Sequence, residues 1–269
     1  MNVPFAKMVG AGNDFIVIDN RDGVIPENRR GLIAAWCHRR LSVGADGVLL
    51  VERAADAHFS MRYYNADGGE AEMCGNGGRC IARFAYLNGI APARIEFVSM
   101  AGRHRAEIIG ENVKLGLTDP TGLALGIDLP LSVGRRTVHL LNTGVPHAVG
   151  FVDDVARVDV VRLGREIRRH ERFAPAGANA NFVEPVDRHT FRIRTYERGV
   201  EDETLACGTG TTAAAILGGI LGHFEPPTVG ITRSGLPLVI YYERDGDRLT
   251  SVYLEGDAEV AFTGTLSMK

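Results

Sequence analysis

The feature that most constrains this chain is one short pattern that occurs twice. Glu70-Ala71-Glu72-Met73-Cys74-Gly75-Asn76-Gly77 and Glu203-Thr204-Leu205-Ala206-Cys207-Gly208-Thr209-Gly210 both read Glu-x-x-x-Cys-Gly-x-Gly. Each runs into an apolar stretch of helical character, Ile81, Phe84, Ala85 and Leu87 in one and Ala213 to Leu217 in the other, with Gly89 and Gly218 as the expected stops. A glycine-rich turn that opens a helix leaves backbone N–H groups without partners and places the positive end of the helix dipole there. Such a turn favours an anion, and a cysteine in it is expected to ionise below the free-thiol pKa of about 8.5.

Displacing the sequence by about half its length repeats the order of landmarks around that pattern. Gly12-x-x-Phe15-x-Val17 matches Gly144-x-x-His147-x-Val149, each followed by an aspartate, Asp19 or Asp153. Phe59-x-Met61-Arg62-x-Tyr64 matches Phe191-x-Ile193-Arg194-x-Tyr196, and Ser99-x-Ala101-Gly102 matches Thr232-x-Ser234-Gly235. Ordered self-similarity of this kind predicts two copies of one supersecondary unit. The expected fold is α+β: two pseudo-symmetric lobes, each a mixed β-sheet wrapped around a central α-helix. The N-terminal lobe is expected over 1–118, completed by a C-terminal strand around 259–269, and the C-terminal lobe over 119–258. Thr118 to Pro130, rich in Pro, Gly and Asp, reads as the linker. Within the first copy, residues 5–19 read as a hairpin, Gly31 to Leu41 as a helix, and Gly47 to Val51 and Phe59 to Asn65 as strands. If the lobes pack about a pseudo-twofold axis, Cys74 and Cys207 face each other across one cleft.

A chain of 269 residues with 45% hydrophobic and 23% charged side chains can bury a large core. Its net charge of −3 gives no reason to expect nucleic acid or an anionic membrane surface, so small molecules are the expected partners. Residues 1–8 carry Lys7 and no long apolar run, so neither a signal peptide nor a membrane span is expected, and the cytoplasm is the default compartment. The cysteines, Cys37, Cys74, Cys80 and Cys207, show no Cys-x-x-Cys spacing and no ligand cluster with the histidines, which argues against a disulfide scaffold or a metal site. Cys37 beside Trp36 and Cys80 inside the first helix read as core. Lysine occurs only at positions 7, 114 and 269, leaving few candidates for a Schiff base, so a pyridoxal phosphate enzyme is not expected.

Polar side chains gather at the same turns: Asn13, Asn65 and Asn76 in the first copy, Asn179, Glu197, Arg198 and Thr209 in the second. Each alone is a common turn or cap residue; together they could orient a polar substrate. His147 occupies the repeat position of Phe15 and is a candidate acid/base aid. Taken as a set, Gly10 to Phe15, Asn65-Ala66-Asp67-Gly68, Met73 to Cys80, Gly144-Val145-Pro146-His147, Asn179 to Phe182 and Tyr196 to Gly199 leading to Ala206-Cys207-Gly208-Thr209-Gly210 closely resemble the diaminopimelate epimerase family, over nearly the whole chain. Asn76, where proline racemases carry histidine, favours the epimerase within that group.

The resemblance implies a cofactor-independent isomerase in which Cys74 and Cys207 are the two acid/base residues, supported by His147 and Glu197. It also implies that Asn13, Asn65, Asn76, Asn179, Glu197, Arg198 and Thr209, with the N–H groups of Gly75 and Gly208, hold an amino-acid substrate, and that the protein is a homodimer without metal. The chain departs from the family at Gly47, where some members have glutamine, and at Val145, where some have asparagine; its loop Gly199 to Glu203 is one residue longer than in some relatives. The residues themselves leave open an isomerase of another small acid on the same fold, or a binding protein for a small zwitterion.

Overall fold

A computed structural model describes residues 2–246 and 248–268. The chain divides into two compact units, one formed by residues up to Gly116 together with the stretch from Glu255 on, the other by Leu117–Leu254. No helix among the described residues is long and apolar enough to cross a membrane.

The first unit contains strands β1 (Asn2–Gly10), β2 (Asn13–Asp19), β3 (Gly47–Glu52), β4 (Phe59–Asn65), β5 (Glu70–Ala71), β6 (Arg94–Ser99), β7 (Gly102–Ile109) and β8 (Asn112–Gly116), with helices α1 (Arg30–Cys37) and α2 (Gly75–Leu87). In the second unit β9 (Thr121–Leu131), β10 (Gly134–Asn142), β11 (Pro146–Phe151), β12 (Asn179–Pro185), β13 (Thr190–Glu197), β14 (Asp202–Thr204), β15 (Thr228–Ile231) and β16 (Pro237–Asp245) accompany α3 (Val160–Arg168) and α4 (Gly208–Ile220). The chain recrosses the boundary within β17 (Arg248–Asp257), and β18 (Glu259–Ser267) belongs to the first unit.

Strand pairing makes the repeat explicit. In the first unit β18 pairs with β1, β1 with β2, β2 with β3 in parallel, β3 with β4, β4 with β5, β4 with β6 in parallel, and β6 with β7. The second unit follows the same rule with β9, β10, β11, β12, β13, β14, β15 and β16 in the corresponding places. Each parallel pair needs a crossover, which α1 and α2 supply in one unit and α3 and α4 in the other. Alternation along the strands then serves both faces: Ile16, Ile18, Val48 and Leu50 join Ile33 and Trp36 of α1 in one core, whereas Leu49 lies against Gly77 of α2. Helices α2 and α4 are the most deeply enclosed elements, each packed against several strands of its own unit.

Three expectations need correction. The stretch 118–130 is no linker: residues from Thr121 belong to β9, where Ile127, Leu129 and Leu131 alternate into the core and pair with β10. Gly122 and Gly126, both at φ +66°, break the periodicity that would have revealed it, and Pro130 is tolerated because the strand has β10 on one side to pair with. Helix α1 stops at Cys37 and not at Leu41, because His38 turns extended and its Nδ1 accepts the backbone N–H groups of Arg40 and Leu41, each at 3.2 Å. Gly218 does not end α4. The helix closes at Gly222 (φ +82°), with His223 N–H donating to Gly218 O at 2.8 Å, while Gly218 is glycine because a Cβ there would lie 2.1 Å from the Phe224 ring. Gly89 does end α2 in the matching way, at φ +67°, with Ile90 N–H donating to Ala85 O at 2.8 Å.

Candidate active site

Both repeated cysteines occupy the same structural position. Cys74 is the residue before the first turn of α2 (φ −133°, ψ 124°) and Cys207 the residue before the first turn of α4 (φ −132°, ψ 107°), and neither helix start is capped by a side chain. The cysteine carbonyls accept the first helical bonds, from Gly78 N–H at 2.7 Å and Thr211 N–H at 2.9 Å. The amides of residues 75–77 and 208–210 therefore have no partner within their helices and are available to an anion. Cys37 and Cys80 differ in kind: burial pushes their thiols up to about 11 and about 12, so both remain protonated core residues.

In the first unit two predicted residues, Asn13 and Asn76, lie in a directed chain of hydrogen bonds. Arg79, fully buried in α2, donates from Nη2 to Asn76 Oδ1 (3.0 Å) and from Nε to Asp257 O (3.3 Å). Asn76 Nδ2 donates to Asn13 Oδ1 (2.7 Å), and Asn13 Nδ2 to Asp46 Oδ2 (2.8 Å). Each amide has its orientation set by the neighbour before it. The chain ends in a charged cluster in which Arg39 bridges Asp14 and Asp46, and Lys7 is ion-paired to Asp14 at 2.7 Å. Burial alone would raise the Asp14 carboxyl, but hydrogen bonds from Arg39 and Lys7 hold it at about 2. Asn65 stands at the end of β4 opposite Gly47 and is exposed. A Cβ on Gly47 would lie 2.4 Å from Tyr64 O and 2.7 Å from the Tyr63 ring. The glycine is thus required by the β3–β4 spacing, and Gly47→Gln is expected to destabilise the protein by about 3 kcal/mol through overpacking. Urea unfolding tests this; an unchanged midpoint would show that the strands part readily.

In the second unit His147 and Thr209 come together. His147 is fully buried in β11, with Nε2 2.9 Å from Thr209 Oγ1 and Nδ1 3.2 Å from Asn181 Nδ2, and Thr209 Oγ1 lies 3.6 Å from Cys207 Sγ. Thr143 Oγ1 donates to Thr209 O at 2.8 Å and fixes the turn. Asn179, opposite His147 in the β11–β12 register, accepts from Arg198 N–H at 2.7 Å, and the Arg198 guanidinium donates to Ala176 O at 3.2 Å. Burial raises the Glu197 carboxyl above its usual range.

Burial, reinforced by the Arg198 charge, drops the His147 pKa from 6.5 to about 3. The imidazole is neutral when folded, whereas the unfolded chain protonates it below 6.5. The stability that this histidine contributes is present in full above pH 6.5 and lost as pH falls towards 3, which at pH 5 costs about 2 kcal/mol. Asp14 loses its contribution only as pH falls below 3.8, so it does not enter a comparison made at pH 5 and above. Unfolding free energies at pH 7.5 and pH 5 are expected to differ by about 2 kcal/mol less in His147→Gln than in the parent; equal slopes would refute the buried neutral histidine.

The profile of the diaminopimelate epimerase family matches residues 5–122 and 139–261. The chain belongs to that family. A diaminopimelate epimerase of Hydrogenobaculum sp. (strain Y04AAS1) is 47% identical over 274 residues, 97% of each chain, and one of Aquifex aeolicus (strain VF5) is 42% identical over 279 residues, 98% of this chain and 97% of that one. Solved structures with the same fold include a phenazine biosynthesis protein of the PhzF family from Bacillus anthracis (TM-score 0.76, 15% identity, 100% of both chains covered) and a probable proline racemase from Agrobacterium radiobacter K84 (TM-score 0.70, 16% identity, 99% and 93% covered). The diaminopimelate epimerase-like fold therefore persists where the sequence has diverged almost completely. Arg79, Asp46, Thr143, Asn181 and Thr195 escaped the sequence reading of the site. A signal existed for Asn181: in Asn179-Ala180-Asn181 the strand period puts both amides on one face of an otherwise apolar strand.

Proposed function

We propose that the protein interconverts LL- and meso-2,6-diaminopimelate, in lysine and cell-wall precursor synthesis, by two-base proton transfer at the α-carbon. The observation that carries this reading is the identical placement of Cys74 and Cys207 ahead of uncapped helix starts, within a chain of this family.

Inversion without a cofactor requires a proton to leave one face of the carbon as another arrives on the opposite face. In this reading one cysteine is a thiolate and the other a thiol at the start of each turnover, and they exchange states as the stereocentre inverts. An α-proton is a very weak acid, so the developing carbanion needs charge stabilisation on the adjacent carboxylate. The amides at Gly75 and Gly208 and the Asn76 Nδ2 hydrogen not given to Asn13 are the donors assigned to this, while Thr209 borders the same turn through its contact with Cys207. Loss of one preorganised donor costs about 3 to 4 kcal/mol in comparable oxyanion sites. The Asn13–Asn76 amide pair, Asn65, Asn179, Glu197 and Arg198 would fix the ammonium groups and the distal carboxylate by charge-assisted bonds.

Cytoplasmic residence, with none of Cys37, Cys74, Cys80 and Cys207 in a disulfide, and a homodimer complete the reading; exposed Val260 and Phe262 of β18 are apolar surface that a second copy would cover. The test is exchange of the α-proton in deuterium oxide across a panel of amino acids. Exchange with inversion confined to diaminopimelate supports the assignment. Turnover of proline or another small acid instead would move the protein to a different isomerase, and binding without exchange would make it a zwitterion-binding protein.

A further inference from the structure

We infer that Asn181, held by Thr195, is a positioning residue that fixes the proton of His147 on Nε2 and so turns the Thr209 hydroxyl hydrogen towards Cys207. The inference rests on the proposed acid/base role of Cys207.

The direction of every hydrogen bond follows from one fixed point. Asn181, buried in β12, donates from Nδ2 to the Ala148 carbonyl at 3.2 Å, and a carbonyl can only accept. The amide nitrogen is therefore the group facing His147 Nδ1 at 3.2 Å, and Nδ1 must accept. On the other side Thr195 Oγ1 donates to Asn181 Oδ1 at 2.9 Å, in keeping with the orientation that the Ala148 carbonyl sets. With Nδ1 accepting and the ring neutral, its proton sits on Nε2 and is given to Thr209 Oγ1 at 2.9 Å. The threonine oxygen receives that bond, and its own hydrogen is left for Cys207 Sγ at 3.6 Å. A donor of this kind favours the thiolate over the thiol.

The repeat supplies a comparison within the chain. Gly77 and Gly210 are the same position of the Cys-Gly-x-Gly pattern. A Cβ on Gly77 would meet Leu49 at 3.3 Å, an apolar contact, whereas a Cβ on Gly210 would meet Asn181 Oδ1 at 2.4 Å and His147 Nδ1 at 3.2 Å. The second unit uses the absent side chain to pass a buried polar relay beneath the first turn of α4. In the first unit the residue matching Thr209 is Asn76, which is committed to Arg79 and Asn13. The two cysteines thus differ in environment: the His147–Thr209 contacts reach Cys207, while Asn76 at the matching position turns to Arg79 and Asn13. Burial keeps the histidine neutral, and the nearby Arg198 charge adds to the opposition to an imidazolium.

The test is the pH dependence of iodoacetamide alkylation, followed separately at Cys74 and Cys207 by peptide mass spectrometry. Thr209→Val is expected to raise the Cys207 midpoint by about one pH unit, the value of one hydrogen bond to a charged group. Thr209→Ser keeps the parent midpoint, and Asn181→Leu moves it upward by less than Thr209→Val. The Asn181→Leu/Thr209→Val double variant matches Thr209→Val alone, because both changes cut one path. The Cys74 midpoint stays put in all four. Should Asn181→Leu fail to fold, Thr195→Val replaces it, with a smaller shift in the same direction. Additive shifts in the double variant, an unmoved Cys207 in both Asn181→Leu and Thr195→Val, or equal shifts at Cys74 would overturn the relay. Alkylation does not require turnover, so a failure of the two-base reading, seen as undiminished epimerisation in Cys207→Ser, is distinct from a failure of the relay.

Discussion

Alanine at Cys74 or at Cys207 is expected to lower epimerisation of diaminopimelate by about 10²- to 10⁴-fold, the range of a positioned general acid or base. The effect is expected to be of similar size at both positions, since a proton must be handled on each face of the carbon in either direction. The variants differ from a dead scaffold in a measurable way. Under the proposed two-base mechanism, a chain lacking one thiol keeps a base on one face, so it would still draw the α-proton of one stereoisomer and return a solvent proton from the same side. Slow deuterium incorporation with retained configuration is therefore the expected signature, with opposite stereoisomers serving the two variants. Cys37→Ala is the control: that thiol lies in the core around Trp36 and Ile33, and its loss costs packing, not turnover. Near-normal rates in either Cys74→Ala or Cys207→Ala would end the two-base account.

The largest expected loss of stability from a single methyl group is at Gly68. This glycine sits at φ +78° in the turn after β4, and a Cβ there would lie 2.1 Å from Arg30 O and 2.8 Å from Arg30 C. A left-handed backbone costs an alanine about 1 to 2 kcal/mol, and overpacking against unyielding backbone adds about 1 to 3 kcal/mol. Gly68→Ala is thus expected to cost about 4 kcal/mol, a large part of a typical domain's stability. Gly89→Ala separates the two contributions, because Gly89 has a similar φ of +67° with nothing within 4 Å; about 1 kcal/mol is expected there. The same turn carries Asn65, through Gly68 N–H to Asn65 O and Asn65 N–H to Gly69 O, each at 2.9 Å. A raised KM should accompany the lost stability in Gly68→Ala and be absent in Gly89→Ala. Equal unfolding midpoints for the two variants would refute the steric argument.

The repeated cysteine pattern made the fold legible because its helix starts are local: glycines, an apolar run and a stop lie within about one helix length, and the structure places both at the same backbone angles. What stayed hidden depends on contacts that no local pattern announces, whether near in sequence or far. Gly218 looks like a stop glycine until Phe224 is seen against it, and β9 looks like a linker until β10 pairs with it. The neutral state of His147 depends on its depth, and its partners Asn181 and Thr209 come from a neighbouring strand and from the start of α4. Arg79 could be read from sequence as an ordinary helix cation; its complete burial and its hold on Asn76 could not.

The strand slot that β9 fills at the start of the second unit is filled in the first by β18, the partner of β1. During synthesis, the second unit can close from one uninterrupted run of chain, Leu117–Leu254. The first, although its opening strand leaves the ribosome earliest, must hold Val3 and Phe5 without their final cover until residues 259–267 emerge. The half of the molecule made first is therefore the half completed last.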